Sequence, residues 1–294
     1  MAPSFLFSQF MGGLTAAMFL FLIASGLSLI FGVLRVLNFA HGSFYMLGAY
    51  IAWQVVHWVS VSMPGHFWLA AIAAAAAVAV LGGLIERFMF RFLYDREELY
   101  QLLFTYALVL ILGDAAKFAW GTDQLTVSRP TILAGGFEIF GTIVPYYNLF
   151  IILMGPGIAL GVWLMLTRTG LGRMVRAAAL DREMLDALGA NVGWLYTGMF
   201  MLSSALAGLS GALVTPIQSI VPGMDVEIIV QAFIVVVIGG LGSFWGTFWG
   251  SMLYGQVLSF GILIFPQFSL FSVFALMAVI LIVRPWGLFG RPIR

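Results

Sequence analysis

The 294-residue sequence predicts an all-α fold, a polytopic transmembrane helix bundle of about eight or nine spans. Three observations predict it. Hydrophobic residues make up 62% of the chain and charged residues only 9%, where a soluble domain carries about a quarter charged. The windows 1–34, 36–85, 139–167, 187–224 and 228–283 contain no Asp, Glu, Lys or Arg, and about 20 consecutive apolar residues suffice to cross the hydrocarbon layer. The apolar runs are continuous rather than alternating in period two, which argues against a transmembrane β-barrel.

The spans follow in order at 10–33, 39–60, 67–91, 99–120, 147–167 and 194–214, a short one at 227–240, then 245–264 and 268–284. The first basic residue is Arg35, so the amino terminus has no positive leader region and the first apolar run reads as a retained span. Pro64-Gly65, Pro145, Pro222-Gly223 and Pro266 punctuate the runs as turns at the membrane surfaces. Gly, Asn, His and Ser interrupt the pattern at 33–42 and 227–245, where broken helices buried in protein are expected. Residues 1–294 are expected to form a single transmembrane domain, with an outer loop at 121–146 and a basic loop at 168–193.

Basic residues orient the bundle. With the amino terminus outside, Arg35, Arg87, Arg91, Arg96, Arg168, Arg173, Arg176, Arg182, Arg284, Arg291 and Arg294 fall on one side, and only Lys117 and Arg129 toward the other. Cytoplasmic loops carry the excess of Lys and Arg, so the basic loop and the carboxyl terminus are expected inside. Trp53, Trp58, Trp68, Trp120, Trp194 and Trp286 lie near span ends, as an interfacial belt requires.

Composition excludes several chemistries. No cysteine is present, hence no disulfide or thiolate metal site, and His41, His57 and His66 do not form a zinc motif. Net charge is +1, which gives no reason to expect nucleic acid as a partner. No His-Glu-x-x-His, Gly-x-Ser-x-Gly or paired intramembrane aspartates appear, so an intramembrane enzyme is not expected. A phosphate-binding loop ends in Gly-Lys-Ser/Thr, and the single lysine, Lys117, follows Ala115-Ala116. If ATP powers this protein, another subunit hydrolyses it. The long charge-free windows also lack the relays of a proton-coupled carrier, with His41 the main deep titratable candidate and Asp114/Lys117 read as a structural ion pair.

In the basic loop, Leu180, Met184 and Leu188 recur at i, i+4 and i+8, with Leu185 beside them. Asp181 is placed as an N-cap, Glu183 in the first turn and Gly189 as the stop, with Arg173 and Arg176 just upstream. A short amphipathic helix over 180–189 is expected. It rests on lipid or docks into a groove on a cytoplasmic partner, and composition does not choose. A second set of residues marks a candidate substrate pathway: Asn38, His41 and Gly42 at the first interruption, and Gln231, Ser243 and Thr247 at the second. Asn38 and His41 read equally well as helix caps. Gly239, Gly240 and Gly242, and the Gly246-x-x-x-Gly250 spacing, read as close helix packing rather than a phosphate loop.

The run Gly26-Leu27-Ser28-Leu29-Ile30-Phe31-Gly32-Val33-Leu34-Arg35-Val36-Leu37-Asn38-Phe39-Ala40-His41-Gly42, continued by Phe44-Tyr45-Met46-Leu47-Gly48-Ala49-Tyr50, resembles the permease subunits of branched-chain amino acid ABC importers. The loop's Thr169-x-x-Gly172-x-x-x-Arg176-Ala177 is similar to the block that precedes that family's ATPase-coupling helix. Ala205–Leu213 and Gly239-Gly240-Leu241-Gly242-Ser243 match two further blocks, in the right order. Ala177-Ala178-Ala179 departs from the wider loop motif, which often places an acidic residue before two alanines. The resemblance implies a type II-like ABC importer permease, the first of two unlike permeases, in a bacterial cytoplasmic (inner) membrane. Its expected partners are a second permease, two cytoplasmic ATP-binding subunits that hold ATP and Mg, an external or periplasmic substrate-binding protein, and the bilayer. The expected cargo is a branched-chain or other hydrophobic amino acid; urea, short amides or aromatic acids are alternatives within the family, and an ion-driven secondary transporter is the alternative outside it.

Overall fold

The computed structural model describes residues 3–59, 65–139, 141–264 and 266–290. Pro64, Arg291 and Arg294 lie outside these residues. Every predicted span is a helix: α1 (Pro3–Leu34), α2 (Ala40–Trp58), α3 (His66–Phe88), α4 (Glu98–Trp120), α5 (Tyr146–Arg168), α8 (Val192–Val214), α9 (Met224–Gly239), α10 (Phe244–Ile264) and α11 (Ser269–Val283). Two more, α6 (Gly170–Leu180) and α7 (Arg182–Ala187), occupy the basic loop. Six of these helices, α1, α3, α4, α5, α8 and α10, are long and apolar enough to cross a membrane. Helices α9 and α11 are shorter, at 16 and 15 residues, and α2 is long enough but too polar to join the six. The chain is a polytopic membrane protein.

The interruptions are narrower than the sequence pattern indicates. Between α1 and α2 only 35–39 lie outside helix, and Arg35 turns the chain with a left-handed φ of 56°. The expected break over 227–245 is confined to 240–243, because α9 runs unbroken to Gly239. Residues 121–146 are not merely a loop. Strands β1 (Gly136–Ile139) and β2 (Thr142–Pro145) form an antiparallel hairpin that pairs Phe137 with Val144.

The residues group into two compact units. One comprises 1–28, 129–159 and 231–294; the other comprises 29–128 and 160–230. In the first, Phe21 meets Phe244 and Phe248 edge-on at 5.7 and 5.1 Å. Ser259 anchors the other end of α10 by donating to the backbone oxygen and Oε1 of Gln9 at 2.7 and 2.8 Å. The segment after α11 returns to α9, where the amides of Leu288 and Phe289 donate to Ile238 and Gly239 at 2.9 and 3.0 Å.

The second unit is built on α2, α3 and α8. Thirteen of the nineteen α2 residues are buried, and α8 is likewise mostly enclosed, whereas α4 buries little of its apolar surface. Phe200 of α8 packs edge-on against Phe44 of α2 at 6.2 Å and lies 5.9 Å from Phe90, which opens the short 3-10 turn Phe90–Leu93 just past α3. Such an arrangement makes α8 and α2 interior helices and leaves α4 to face lipid or another chain.

Candidate functional site

In the basic loop the structure corrects the expected single helix over 180–189. Thr169 caps α6 by accepting from the Gly172 amide at 3.1 Å. Arg176 donates through Nη1 to the Leu166 carbonyl, and Arg173 and Arg176 are exposed. Asp181 then adopts extended backbone (φ −151°, ψ 101°), ending α6 and starting α7 at once. Its Oδ1 accepts from the Met184 amide at 2.9 Å, the N-cap geometry that the sequence predicts. At the far end Gly189 takes φ +86°, its amide donates to Asp186, and the Ala190 amide donates to Leu185. Leu180 thus belongs to α6, and Leu188 and Gly189 to the cap of α7.

The break at Asp181 divides the apolar stripe between two helices but leaves it facing outward. Leu180, Met184 and Leu188 are 86%, 59% and 78% exposed, while Leu185 is the anchor at 8%. On α6 the inward face is Gly172, Val175 and Ala178, at i, i+3 and i+6. Three large apolar side chains therefore stand in the open on a helical hairpin flanked by arginines, where a protein groove or a lipid surface can receive them.

The hairpin meets α3 and α8 at a cleft of about 350 Å³ lined by Glu86, Arg87, Arg91, Tyr94, Arg182 and Tyr196, among others. Glu86, buried at the end of α3, accepts from the Tyr94 hydroxyl at 2.8 Å and from Thr197 Oγ1. Burial, then the Glu86 charge and the hydrogen bond to it, push the Tyr94 phenol well above its ordinary value. Tyr94 packs edge-on against Tyr196 at 5.3 Å, Arg182 of α7 lies over the Tyr196 ring at 5.9 Å, and Arg182 reaches Asp95 at 3.5 Å. Glu86 escapes notice in the sequence because it stands at the edge of a charge-free window, where it reads as a surface residue.

Asn38, His41 and Gly42 are all buried at the start of α2. The carbonyl of Asn38 accepts from the His41 amide at 3.3 Å, so the turn that opens the helix begins there. Gly42 lies against the backbone of Asp225 at the start of α9, where a Cβ would collide with the Asp225 carbonyl oxygen. Ser43 Oγ donates to Asp225 Oδ2 at 2.8 Å, and Asp225 is only 3% exposed. No motif singles out this carboxylate in the sequence. Its signal was present: Asp225 and Glu227 are the two charged residues separating the windows 187–224 and 228–283.

Gln231, Ser243 and Thr247 belong to the other unit. Gln231 is half-buried on α9, and Thr247 is buried on α10. Ser243 caps α10: its Oγ accepts from the Gly246 amide at 3.1 Å, and its carbonyl accepts from Thr247 Oγ1 at 3.0 Å. Gly239 and Gly246 approach backbone to backbone, leaving no room for a side chain at either. The Asp114–Lys117 ion pair on α4 closes at 3.0 Å. Among the described residues no group of three or more His, Asp or Glu is placed to hold a metal ion.

The family described as branched-chain amino acid transport system / permease component matches residues 9–283. The chain belongs to this permease family. Relatives extend along almost its full length. The high-affinity branched-chain amino acid transport system permease protein BraD of Pseudomonas aeruginosa is 31% identical over 97% of this chain and 95% of its own. LivH of Escherichia coli is 27% identical over 99% and 98%. LivM of Salmonella typhimurium, from an organism that also has a LivH relative, is 25% identical over 93% of this chain and 68% of its own length. Among solved structures, PsaBC from Streptococcus pneumoniae in complex with Fab is similar at a TM-score of 0.48 and 14% identity, over 92% of this chain and 89% of that one.

Proposed function

We propose that this chain is one of two membrane-spanning subunits of an ATP-driven importer for branched-chain or other hydrophobic amino acids. The observation that carries the reading is the match to the permease family across 9–283, with relatives named for that transport aligned end to end. Two unlike permeases are the natural arrangement, because LivH and LivM relatives coexist in one organism. The exposed apolar hairpin supports a docking role for the basic loop. Leu180, Met184 and Leu188 present a surface that seats in a groove on a cytoplasmic ATPase, and ATP with Mg binds on those partner subunits. The excess of arginine around that hairpin supports placing it in the cytoplasm of a bacterial inner membrane, amino terminus outside. In operation the ATPase pair moves the hairpin, and the helices behind it alternate access to the pathway. An external binding protein delivers the cargo.

Reconstitution of the chain with its second permease, ATPase subunits and binding protein in vesicles tests the reading. ATP-dependent uptake of leucine, competed by isoleucine and valine but not by urea or aromatic acids, is expected. Uptake by the chain without ATPase subunits, driven by a sodium or proton gradient, would overturn it.

A further inference from the structure

Opposite charges that share a cleft normally close on one another, and those that stay apart leave a place for a ligand carrying both signs. The cleft between α7 and the ends of α3 and α8 is such a place. Its volume of about 350 Å³ lies within the range of about 300–1,000 Å³ that holds small molecules. Among the described residues one ion pair closes there, Arg182 with Asp95 at 3.5 Å. Arg87 and Arg91 line the same cleft and meet no carboxylate among the described residues, while Glu86, Glu183 and Asp186 meet no cation.

The fold holds the inner groups in place. Glu86 is 1% exposed, and the hydroxyls of Tyr94 and Thr197 donate to its two oxygens, which fixes the carboxylate without cancelling its charge. Arg87 lies over the Trp194 ring at 4.6 Å, a contact through the guanidinium face that leaves its N–H edge for an anion. Gly193 carries no side chain beside that guanidinium, whose Nη1 is 3.8 Å from where a Cβ would stand. Tyr94 and Tyr196, edge-on at 5.3 Å, and Val192 add apolar wall. An anion alone would face three unpaired carboxylates here, and a cation alone two unpaired guanidiniums. A zwitterion meets neither penalty. An α-amino acid carries both charges on one carbon, and the consecutive residues Glu86 and Arg87 bring an acceptor and a donor to the same cleft.

We propose that this cleft binds a free α-amino acid from the cytoplasm, its carboxylate on Arg87 and Arg91, its ammonium on Glu86, and its side chain against the tyrosine rings. The inference rests on the amino acid importer reading above and adds regulation to it. Because α7 lines the cleft together with α3 and α8, the bound amino acid ties the hairpin to the helices behind it. It thereby holds the element that the ATPase has to move, and import slows as its product accumulates.

The test uses the complete importer, reconstituted with ATP enclosed at its cytoplasmic face. Uptake of labelled leucine into vesicles free of internal leucine judges the importer reading by itself. Millimolar unlabelled leucine inside is expected to slow the wild-type initial rate severalfold. Isocaproate, which lacks the ammonium, and isoamylamine, which lacks the carboxylate, should leave that rate level. Arg87→Gln, Arg91→Gln and Glu86→Gln each remove one charged contact, so the internal leucine needed for half-inhibition should rise roughly tenfold or more. Uptake into leucine-free vesicles should stay unchanged in the two arginine variants. Should Glu86→Gln or Arg87→Gln fail to assemble, Arg91→Gln decides, since Arg91 is exposed on the turn after α3. Inhibition that persists unshifted in the arginine variants would put the internal leucine in the transport path and overturn the proposal, as would wild-type import indifferent to internal leucine. Equal inhibition by isocaproate would mark a plain anion site and refute it. Uptake that follows the phosphatidylethanolamine content of the vesicle, through Arg87 and without a response to internal leucine, would give the cleft to a lipid headgroup and equally refute it.

Discussion

Leu188 is the sharpest place to separate a docking role from a folding role. Its side chain is 78% exposed just past α7, so Leu188→Asp removes almost no contact within the chain. Exposed substitutions of this kind change stability by about 0.5 kcal/mol or less. In the assembled importer the same side chain would be covered by the ATPase. Burying a whole leucine contributes about 1.5–3 kcal/mol, so roughly three-quarters of that, about 1–2 kcal/mol, is lost on substitution. A carboxylate carried into an apolar groove adds about 1–3 kcal/mol of unmet desolvation. The total, about 2–5 kcal/mol, corresponds to roughly thirty-fold or more in association. Leucine taken up per ATP hydrolysed, measured in vesicles, should fall by at least tenfold, with the melting temperature of the purified permease unchanged. Leu185→Asp provides the contrast: Leu185 is 8% exposed, so the permease itself should lose stability. Unimpaired coupling in Leu188→Asp would refute the docking of this face, and a fall in its melting temperature would refute the exposure on which the estimate rests.

Other outcomes follow from single bonds. Asp181→Ala removes the cap on the Met184 amide and should cost α7 about 1 kcal/mol, read as faster amide exchange over 182–187, with Asp181→Asn close to wild type. Thr197→Val takes a donor from buried Glu86 and should destabilise the permease by about 1–3 kcal/mol in thermal unfolding, with Thr197→Ser restoring most of it. Tyr94 has its phenol held above its ordinary value by burial and by Glu86, so the folded state keeps that proton longer than the unfolded chain. Its contribution to stability is complete below about pH 10 and declines as pH rises beyond it. Tyr94→Phe should flatten that alkaline decline in melting temperature, measured between about pH 8 and 11.

The spans were legible because apolar length is a long-range average that no single residue can spoil; all nine predicted windows are helices. Caps were legible for the opposite reason. Asp181, Met184 and Gly189 lie within nine residues, and their geometry is local. The break in the middle of the stripe was not, because a residue that caps one helix can also end the one before it, and periodicity at i, i+4 and i+8 runs straight through Asp181. Long-range polar pairing was the main blind spot. Ser43 and Asp225 are 182 positions apart, and Thr197 and Glu86 are 111 apart, so neither pair leaves a spacing to detect. The hairpin of β1 and β2 was hidden by its length, since four-residue strands in a polar loop give almost no alternation.

The polarity of α2 has a bearing on how the protein is made. With His41, Ser43, Gln54 and His57 along nineteen residues, it gains less from lipid than its neighbours do, and its burial depends on α3 and α8. Helix α8 begins at Val192, well over a hundred residues downstream. At ribosomal speeds of about 5–20 residues per second, α2 waits on the order of ten seconds before that partner leaves the tunnel. During the delay its polar face must be sheltered by α1, by the insertion machinery or by water at the membrane surface, so a nascent chain halted before α8 should hold α2 loosely and become the preferred prey of membrane proteases.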